Sequence, residues 1–192
     1  MKMCILMGSP RENGNTESLL VPFRDELDKL GVAYDMIWLK GKNLNPCVAC
    51  RTCQKNWSSF GCVWKDDVYD IYERIMDARM IVLASPIYSW YCTGPMKIVL
   101  DRLVYGMNKI YGEKMGPQLW KGKKMALITT CGYPPEKGAD LWEAGMKRYC
   151  KHSGLEYTKM LVERHAGYHI EFMDAEKEAH ARQFAHELSK IL

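Results

Sequence analysis

The sequence predicts an α/β fold in which helices cover both faces of a parallel β-sheet. Short, nearly continuous apolar segments alternate with longer amphipathic segments about five times, which is the pattern of repeated βα units joined by right-handed crossovers. The chain has 192 residues, of which 47% are apolar and 26% charged, enough for one domain with a substantial core. No repeat, low-complexity tract or linker divides it, so we predict a single domain over residues 1–192.

Five segments have the character of strands. Lys2–Met7 is a short apolar run, and Met80–Ala84 is the clearest buried strand, since parallel strands are apolar on both faces. The last strand alternates between polar and apolar residues, which is the period of an extended chain. The predicted strands are Lys2–Met7, Tyr34–Leu39, Met80–Ala84, Lys124–Thr130 and Glu156–Glu163.

Helices are predicted in the longer segments between these strands. In the first of them, five apolar side chains between positions 19 and 30 recur with helical spacing. Asn15 or Thr16 can cap this helix, and Pro22 falls within its first two turns, where a kink is best tolerated. The last helix starts at an acidic cap, Asp174. The predicted helices are Thr16–Leu30, Asp66–Ala78, Pro95–Tyr105, Ala139–His152 and Asp174–Ile191.

Charge and hydropathy argue against two classes of partner. The net charge is +4 and the two signs are interspersed, so the chain lacks the basic stripe that binds nucleic acid. The longest early apolar run, Met3 to Met7, ends at Gly8 and is far shorter than the roughly 20 residues of a membrane helix. This run is also too short for the apolar region of a signal peptide, and we therefore expect a cytoplasmic protein with no membrane partner.

A polar loop with two glycines joins the first strand to the first helix. Gly8 and Gly14 let the backbone curve, and the start of the helix offers N–H groups and the positive end of its dipole to an anion. Arg11 adds a forked charge that can pair with phosphate oxygens. The loop is neither the dinucleotide fingerprint nor a P-loop, so a phosphate site and a well-capped polar turn both fit it. The candidate ligands are Ser9, Arg11, Asn13, Asn15 and Thr16.

Four of the eight cysteines lie close together in a long irregular insertion, Lys40–Lys65, with the spacing Cys47-x2-Cys50-x2-Cys53-x8-Cys62. A disulfide framework would spread its cysteines along a small secreted chain, whereas a tight cluster favours a metal site or redox chemistry. Three cysteines two residues apart and a more distant fourth can bind a 4Fe-4S cubane. Tetrahedral zinc and a loop of free thiols are the alternatives.

Three loop motifs carry a resemblance to a known family. G-S-P-R-x-x-G-N-T follows the first strand, S-P-I-Y and then P-x-K-x-x-x-D-R follow the third, and T-T-C-G ends the fourth. With these motifs, the chain from residue 1 to about residue 150 resembles the NADPH-dependent FMN reductase-like branch of the flavodoxin-like superfamily. The C-x2-C-x2-C pattern, the later cysteine and Lys65-Asp66-Asp67 resemble the iron–sulfur flavoproteins within that branch.

The resemblance implies a flavodoxin-like, doubly wound, five-stranded parallel sheet of order 2-1-3-4-5, with a cysteine-rich insertion before the second helix. It implies that the first loop holds the phosphate of FMN and that the other two loops flank the isoalloxazine ring. The chemistry would take place on FMN, without a catalytic side chain, and the four clustered cysteines would be the ligands of an iron–sulfur cluster. The residues implied to flank the ring are Pro86, Ile87, Tyr88, Ser89, Trp90, Thr130, Cys131, Gly132 and Tyr133.

The function implied is an FMN-dependent oxidoreductase that moves electrons from ferredoxin or NAD(P)H to a small acceptor such as a quinone, a flavin or an oxidant. A homodimer or homotetramer is implied as well. Three alternatives remain: a non-enzymatic flavodoxin-like electron carrier, an NAD(P)H-dependent FMN or quinone reductase without a cluster, and a regulatory module whose cysteines hold zinc. His165 and His169 flank an irregular segment whose role the sequence does not assign. The candidate interface aromatics are Trp57, Trp64, Trp90 and Tyr91.

Overall fold

The structure, a computed structural model, describes residues 1–167 and 169–192. In these residues five strands form one parallel sheet of order β2-β1-β3-β4-β5, as predicted. The order reverses between β1 and β3, so the carboxyl ends of these neighbouring strands form the switch point at which doubly wound sheets bind ligands. The strands are β1 (Lys2–Met7), β2 (Ala33–Trp38), β3 (Met80–Pro86), β4 (Lys124–Cys131) and β5 (Glu156–Arg164).

The helices agree with the prediction to within about two residues at most ends. Two short elements were not predicted, a helix at Pro135–Gly138 and a 3₁₀ turn at Thr52–Lys55 inside the cysteine insertion. None of the described helices is long and apolar enough to cross a membrane. The helices are α1 (Asn15–Lys29), α2 (Val68–Asp77), α3 (Gly94–Met107), α4 (Pro135–Gly138), α5 (Asp140–Ser153) and α6 (Ala175–Ile191).

The expected cap of α1 is wrong. Neither Asn15 nor Thr16 caps the helix with its side chain. Instead Gly14 occupies the cap position in an extended conformation, and no side-chain hydrogen bond from the described residues caps it. Pro22 is buried inside α1, which continues through it to Lys29.

Two apolar layers enclose the sheet. Helices α1 and α6 pack on one face, and α2, α3 and α5 pack on the other. The central strands β1 and β3 are buried nearly throughout, as expected for strands covered on both faces. The sheet therefore presents its carboxyl edge, with the loops that follow β1, β3, β4 and β5, as the place where a ligand can bind.

Candidate functional site

A cleft opens at the carboxyl edge of the sheet, between the loops that follow four of the strands. Backbone hydrogen bonds beyond the strand ends hold these loops together. Ile87 N–H donates to the Thr130 carbonyl over 2.8 Å, and Gly8 N–H donates to the Ala84 carbonyl over 2.8 Å. Of the fourteen residues predicted to bind FMN, eight line the cleft: Arg11, Asn15, Pro86, Ile87, Tyr88, Thr130, Cys131 and Gly132.

The loop between β1 and α1, residues 8–14, is called the phosphate loop after the ligand predicted for it, and it leaves the start of α1 available to an anion. Because a glycine is the cap residue and no described side chain caps the helix, the N–H groups of the first turn lack the partner that a cap supplies. Arg11 lies in the cleft. Its backbone N–H donates to the hydroxyl oxygen of the buried Ser9 over 3.2 Å, so Ser9 fixes the conformation of the loop. Asn13 is exposed on the loop. This arrangement supplies backbone donors and one positive charge on the same side of the cleft.

A buried pair of hydroxyls ties the first loop to the third. The Thr16 and Thr130 hydroxyl oxygens lie 2.9 Å apart and share a hydrogen bond. Both side chains are nearly inaccessible to solvent, so this bond fixes the start of α1 against the end of β4. Next to it, burial raises the pKa of the Cys131 thiol, which also donates a hydrogen bond to the Tyr133 carbonyl over 3.2 Å.

The aromatic loop after β3 contains a tight turn. Tyr88 and Tyr91 exchange backbone hydrogen bonds of 2.8 and 3.0 Å, and the two residues between them, Ser89 and Trp90, have φ angles of 50° and 62°. Two successive left-handed residues are typical of a type I′ turn, a conformation that costs energy for residues other than glycine. The turn places the Trp90 ring on the Tyr133 ring, with centroids 6.0 Å apart. Both aromatic side chains are exposed, and each belongs to one of the loops that line the cleft.

Sequence reasoning missed part of the cleft wall. Residues 165–167, which follow β5, line the cleft together with residues of the aromatic loop. The His165 N–H donates to the Cys131 carbonyl over 2.8 Å, which extends the pairing of β4 and β5. The signal that could have found this segment was its position, because it directly follows a predicted strand of a parallel sheet. His169 is described in the chain but does not line the cleft.

A second cavity lies in the cysteine insertion. Its lining includes all four clustered cysteines. Across residues 1–167 and 169–192, no three or more His, Cys, Asp or Glu side chains converge as the ligands of one metal ion would. Hydrogen bonds from Thr52 lower the pKa of the exposed Cys50 thiol, whereas burial raises that of Cys53. The four thiols line one shared cavity, and this donor set fits a 4Fe-4S cluster with one cysteine for each iron as well as tetrahedral zinc.

An ion pair beside this cavity is almost completely buried. The Asp66 and Arg102 side chains are 1% and 0% exposed, and their closest nitrogen–oxygen distance is 2.6 Å. Burial disfavours ionisation of Asp66, but bonds from Arg102 and Asn45 outweigh it and hold the pKa of this carboxyl below its usual range. Arg102 Nη2 also approaches the Cys62 sulfur at 3.2 Å, and Arg102 Nε is buried with no hydrogen-bond partner in the described chain. The guanidinium therefore directs positive charge at one of the four thiols.

The insertion is anchored by side chains between its third and fourth cysteines. Phe60 is buried and stacks on Tyr72 with ring centroids 5.4 Å apart. It occupies the space over Gly106 of α3, where an added Cβ would lie 2.1 Å from the ring. Gln54 is buried too, and its amide group donates to the carbonyls of Tyr105 and Asn108. These contacts fix the insertion on the carboxyl end of α3.

Comparison with known families decides the identity. Residues 1–138, more than two thirds of the chain, match the model of the NADPH-dependent FMN reductases. The chain belongs to the NADPH-dependent FMN reductase family. The matched residues include the cleft loops after β1, β3 and β4 and the cysteine insertion, whereas β5, α6 and the cleft residues 165–167 lie outside the match.

Individual relatives agree with this family and fold. An iron–sulfur flavoprotein of Archaeoglobus fulgidus is 31% identical over 117 residues, which are 60% of this chain and 52% of that protein. The chain spans about half the length of the curated relatives it matches. An NAD(P)H:quinone oxidoreductase from Methanothermobacter marburgensis has a TM-score of 0.73 at 19% identity, covering 98% of this chain and 97% of that one. A flavodoxin from Streptococcus pneumonia TIGR4 has a TM-score of 0.61 at 17% identity over the full length of both chains, so the fold is flavodoxin-like.

Proposed function

We propose that this chain is an FMN-dependent oxidoreductase that passes electrons from a reduced donor, NAD(P)H or ferredoxin, to a small acceptor such as a quinone, a flavin or an oxidant. The observation that carries the proposal is the cleft at the switch point of the sheet, where the phosphate loop, the aromatic loop and the end of β4 meet. Membership of the NADPH-dependent FMN reductase family supports the same cofactor and donor.

The residues of the cleft suit the parts of FMN. Arg11 and the N–H groups at the start of α1 would bind the phosphate, because both favour an anion. Pro86 and Ile87 would give the ring an apolar wall, with Gly132 on its other side. When bound, FMN supplies a two-electron acceptor that can also release single electrons. In the overall reaction NAD(P)H loses a hydride, and the acceptor gains the two electrons and the proton of that hydride together with a second proton from solvent.

We propose further that Cys47, Cys50, Cys53 and Cys62 bind a 4Fe-4S cluster, which would accept single electrons from a ferredoxin-like donor. The four thiols line one cavity, and the buried Arg102 contributes positive charge where a cluster with four thiolates would be anionic. The name of the Archaeoglobus fulgidus relative supports the same assignment. Tetrahedral zinc is the competing occupant, and it needs all four sulfurs on one ion.

An absorption spectrum with iron and zinc analysis, on protein purified without oxygen, tests both parts. Flavin bands with a broad brown shoulder and about four irons per chain are expected, as a cubane requires. Flavin bands without metal would contradict the cluster and leave an NAD(P)H-dependent FMN or quinone reductase. Zinc without flavin, or a colourless protein that does not take up added FMN, would refute the oxidoreductase proposal.

Replacement of Arg11 tests the phosphate assignment. We expect Arg11→Ala to weaken FMN binding at least tenfold, because a hydrogen bond to a charged group contributes about 1.5–3 kcal/mol. Arg148→Ala is the matched control, since Arg148 is an exposed arginine on α5 and does not line the cleft. The affinity for FMN is measured by flavin fluorescence. If it is unchanged in both variants, the placement of the phosphate is contradicted.

We propose a homodimer or homotetramer on the basis of exposed aromatic side chains. Trp57 and Trp90 are 45% and 49% exposed, so both offer apolar surface to a subunit contact, Trp90 together with the Tyr133 ring on which it stacks. Tyr91 is a poorer candidate, because it packs within its own chain against Trp142 with ring centroids 4.9 Å apart. Trp64 is partly exposed and donates its indole N–H to the Pro46 carbonyl over 3.1 Å. Light scattering of wild type and Trp57→Ala would show a loss of mass if Trp57 lies in the interface.

A further inference from the structure

A buried lysine lies against the cysteine insertion. Lys109 follows the end of α3, and its side chain is inaccessible to solvent. Its ammonium group donates to the Cys53 carbonyl over 2.9 Å and to the Phe60 carbonyl over 3.1 Å. The backbone of Lys109 is fixed as well, because its N–H donates to the Pro117 carbonyl and its carbonyl accepts from the Gly116 N–H. The position of the charge is therefore set from both sides.

This positive charge has no acidic partner. An ammonium group is costly to bury unless a negative group compensates it. In the part of the chain that the structure describes, no carboxylate lies within ion-pair distance of Lys109, whereas the neighbouring Arg102 is paired with Asp66. Lys109 is thus a buried ammonium group whose two hydrogen-bond acceptors are carbonyl oxygens, one of them on Cys53, which lines the cysteine cavity.

The two carbonyls that Lys109 binds lie near the two ends of the segment that joins the third and fourth cysteines. They belong to Cys53 itself and to Phe60, the seventh residue of the eight-residue spacer between Cys53 and Cys62. A single ammonium group therefore draws together the two ends of this spacer. The positive φ of Gly61, 64°, turns the chain just before Cys62. The spacer that Lys109 contacts at both ends is much longer than the two-residue spacers between the first three cysteines.

We propose that Lys109 is a positioning residue for the cysteine site: it closes the Cys53–Cys62 spacer and places a positive charge beside the anionic group that the four cysteines bind. This inference rests on the proposed iron–sulfur cluster and deepens it. A nearby positive charge stabilises the more negative, reduced state of such a group. Lys109 therefore raises the reduction potential of the site and favours electron entry from the donor.

The test compares Lys109→Met, Lys109→Arg and wild type. Lys123→Met is the matched control, because the Lys123 ammonium group also donates to two backbone carbonyls, those of Met76 and Ala78. Lys123 precedes β4 and so lies at the opposite edge of the sheet. Each protein is purified without oxygen and analysed for iron and thermal unfolding. The iron–sulfur absorption is then titrated with dithionite against a redox electrode.

We expect Lys109→Met to shift the one-electron reduction equilibrium at least tenfold, which lowers the potential by about 59 mV. Lys109→Arg keeps the charge and should stay within threefold of wild type. Lys123→Met should lose thermal stability without a change in potential. A purely structural role of Lys109 would lower the melting temperature and leave the potential of the remaining cluster unchanged.

The failures of the two proposals can be distinguished. Wild type without iron overturns the cluster and, with it, the charge role of Lys109. If wild type holds about four irons per chain and Lys109→Met has the same reduction potential as wild type, the inference about Lys109 is overturned and the cluster stands. If Lys109→Met does not fold, Lys109→Gln takes its place, since glutamine keeps a hydrogen-bond donor and removes the charge. The same shift in Lys109→Gln supports the inference, and an unshifted potential overturns it.

Discussion

Replacement of Asp66 by asparagine tests how strongly the cysteine insertion is joined to the domain. Asp66 precedes α2 and accepts hydrogen bonds from Arg102 Nη1 at 2.6 and 2.7 Å and from the Asn45 N–H at 2.9 Å. Both members of the ion pair are buried. An asparagine keeps the size of the side chain but removes its charge, so the buried Arg102 guanidinium would lose the one carboxylate that pairs with it among the described residues.

The expected loss is large for a single substitution. Removal of one partner of a buried ion pair costs about 3–5 kcal/mol, because the other charge stays in a low-dielectric environment. For a chain of this length, each kcal/mol corresponds to about 2–4 °C in melting temperature. Asp66→Asn should therefore lower the free energy of unfolding by about 3–5 kcal/mol and the melting temperature by about 6–20 °C.

The assay is thermal and urea unfolding followed by circular dichroism, without oxygen. Asp101→Asn serves as the control, because Asp101 pairs with Lys97 on the same helix as Arg102 but both side chains are nearly half exposed. An exposed pair of this kind contributes only about 0.3–0.5 kcal/mol. If the free energies of unfolding of Asp66→Asn and Asp101→Asn lie within about 1 kcal/mol of each other, the buried ion pair does not stabilise the fold by the amount expected for such a pair.

Three further predictions follow from the same contacts. The pKa of Asp66 is lower in the folded than in the unfolded state, so its ionised form stabilises the fold. This contribution is present above the unfolded pKa of about 3.9 and is lost as the pH falls through the folded value. Wild type should therefore lose its greater free energy of unfolding, relative to Asp66→Asn, during acid unfolding. Thr130→Val leaves the buried Thr16 hydroxyl unpaired and should cost about 1–3 kcal/mol in urea unfolding; an unchanged midpoint would contradict this. Gly106→Ala places a Cβ against Phe60 and should lower stability by about 1–3 kcal/mol and the iron content of the proposed cluster site. Gly94→Ala, in the same helix with open space around it, should be tolerated in both measurements.

The fold could be predicted because its signals are local. Each strand is a short apolar run and each helix has apolar side chains at helical spacing, so positions were correct to about two residues. Errors fell where a single residue determines the end of an element. At α1, asparagine and threonine are good caps by type, but Gly14 takes the cap position and leaves the first-turn N–H groups for another acceptor. The one-turn helix at Pro135–Gly138 has too few residues to show a period.

The candidate cleft was only partly predictable. Three of its loops are contiguous motifs, and their positions after strands of a parallel sheet bring them to one edge. Residues 165–167 carry no motif, and their place in the cleft depends on the pairing of β5 with β4. The turn at Ser89 and Trp90 was also beyond sequence reasoning, because neither residue is typical of the left-handed conformation that both adopt.

Helix α3 gives a physical reason for the two motifs that surround it. At its start, the Thr93 hydroxyl donates to the Gly8 carbonyl over 2.7 Å, so the helix is fixed to the phosphate loop. Further along, Arg102, the last residue of P-x-K-x-x-x-D-R, pairs with Asp66, the middle residue of Lys65-Asp66-Asp67. The first of these contacts fixes the loop beside the cleft, and the second holds the cysteine insertion. Because one helix carries both contacts, the two sites are fixed relative to each other, as the proposed electron transfer between a cluster and FMN requires.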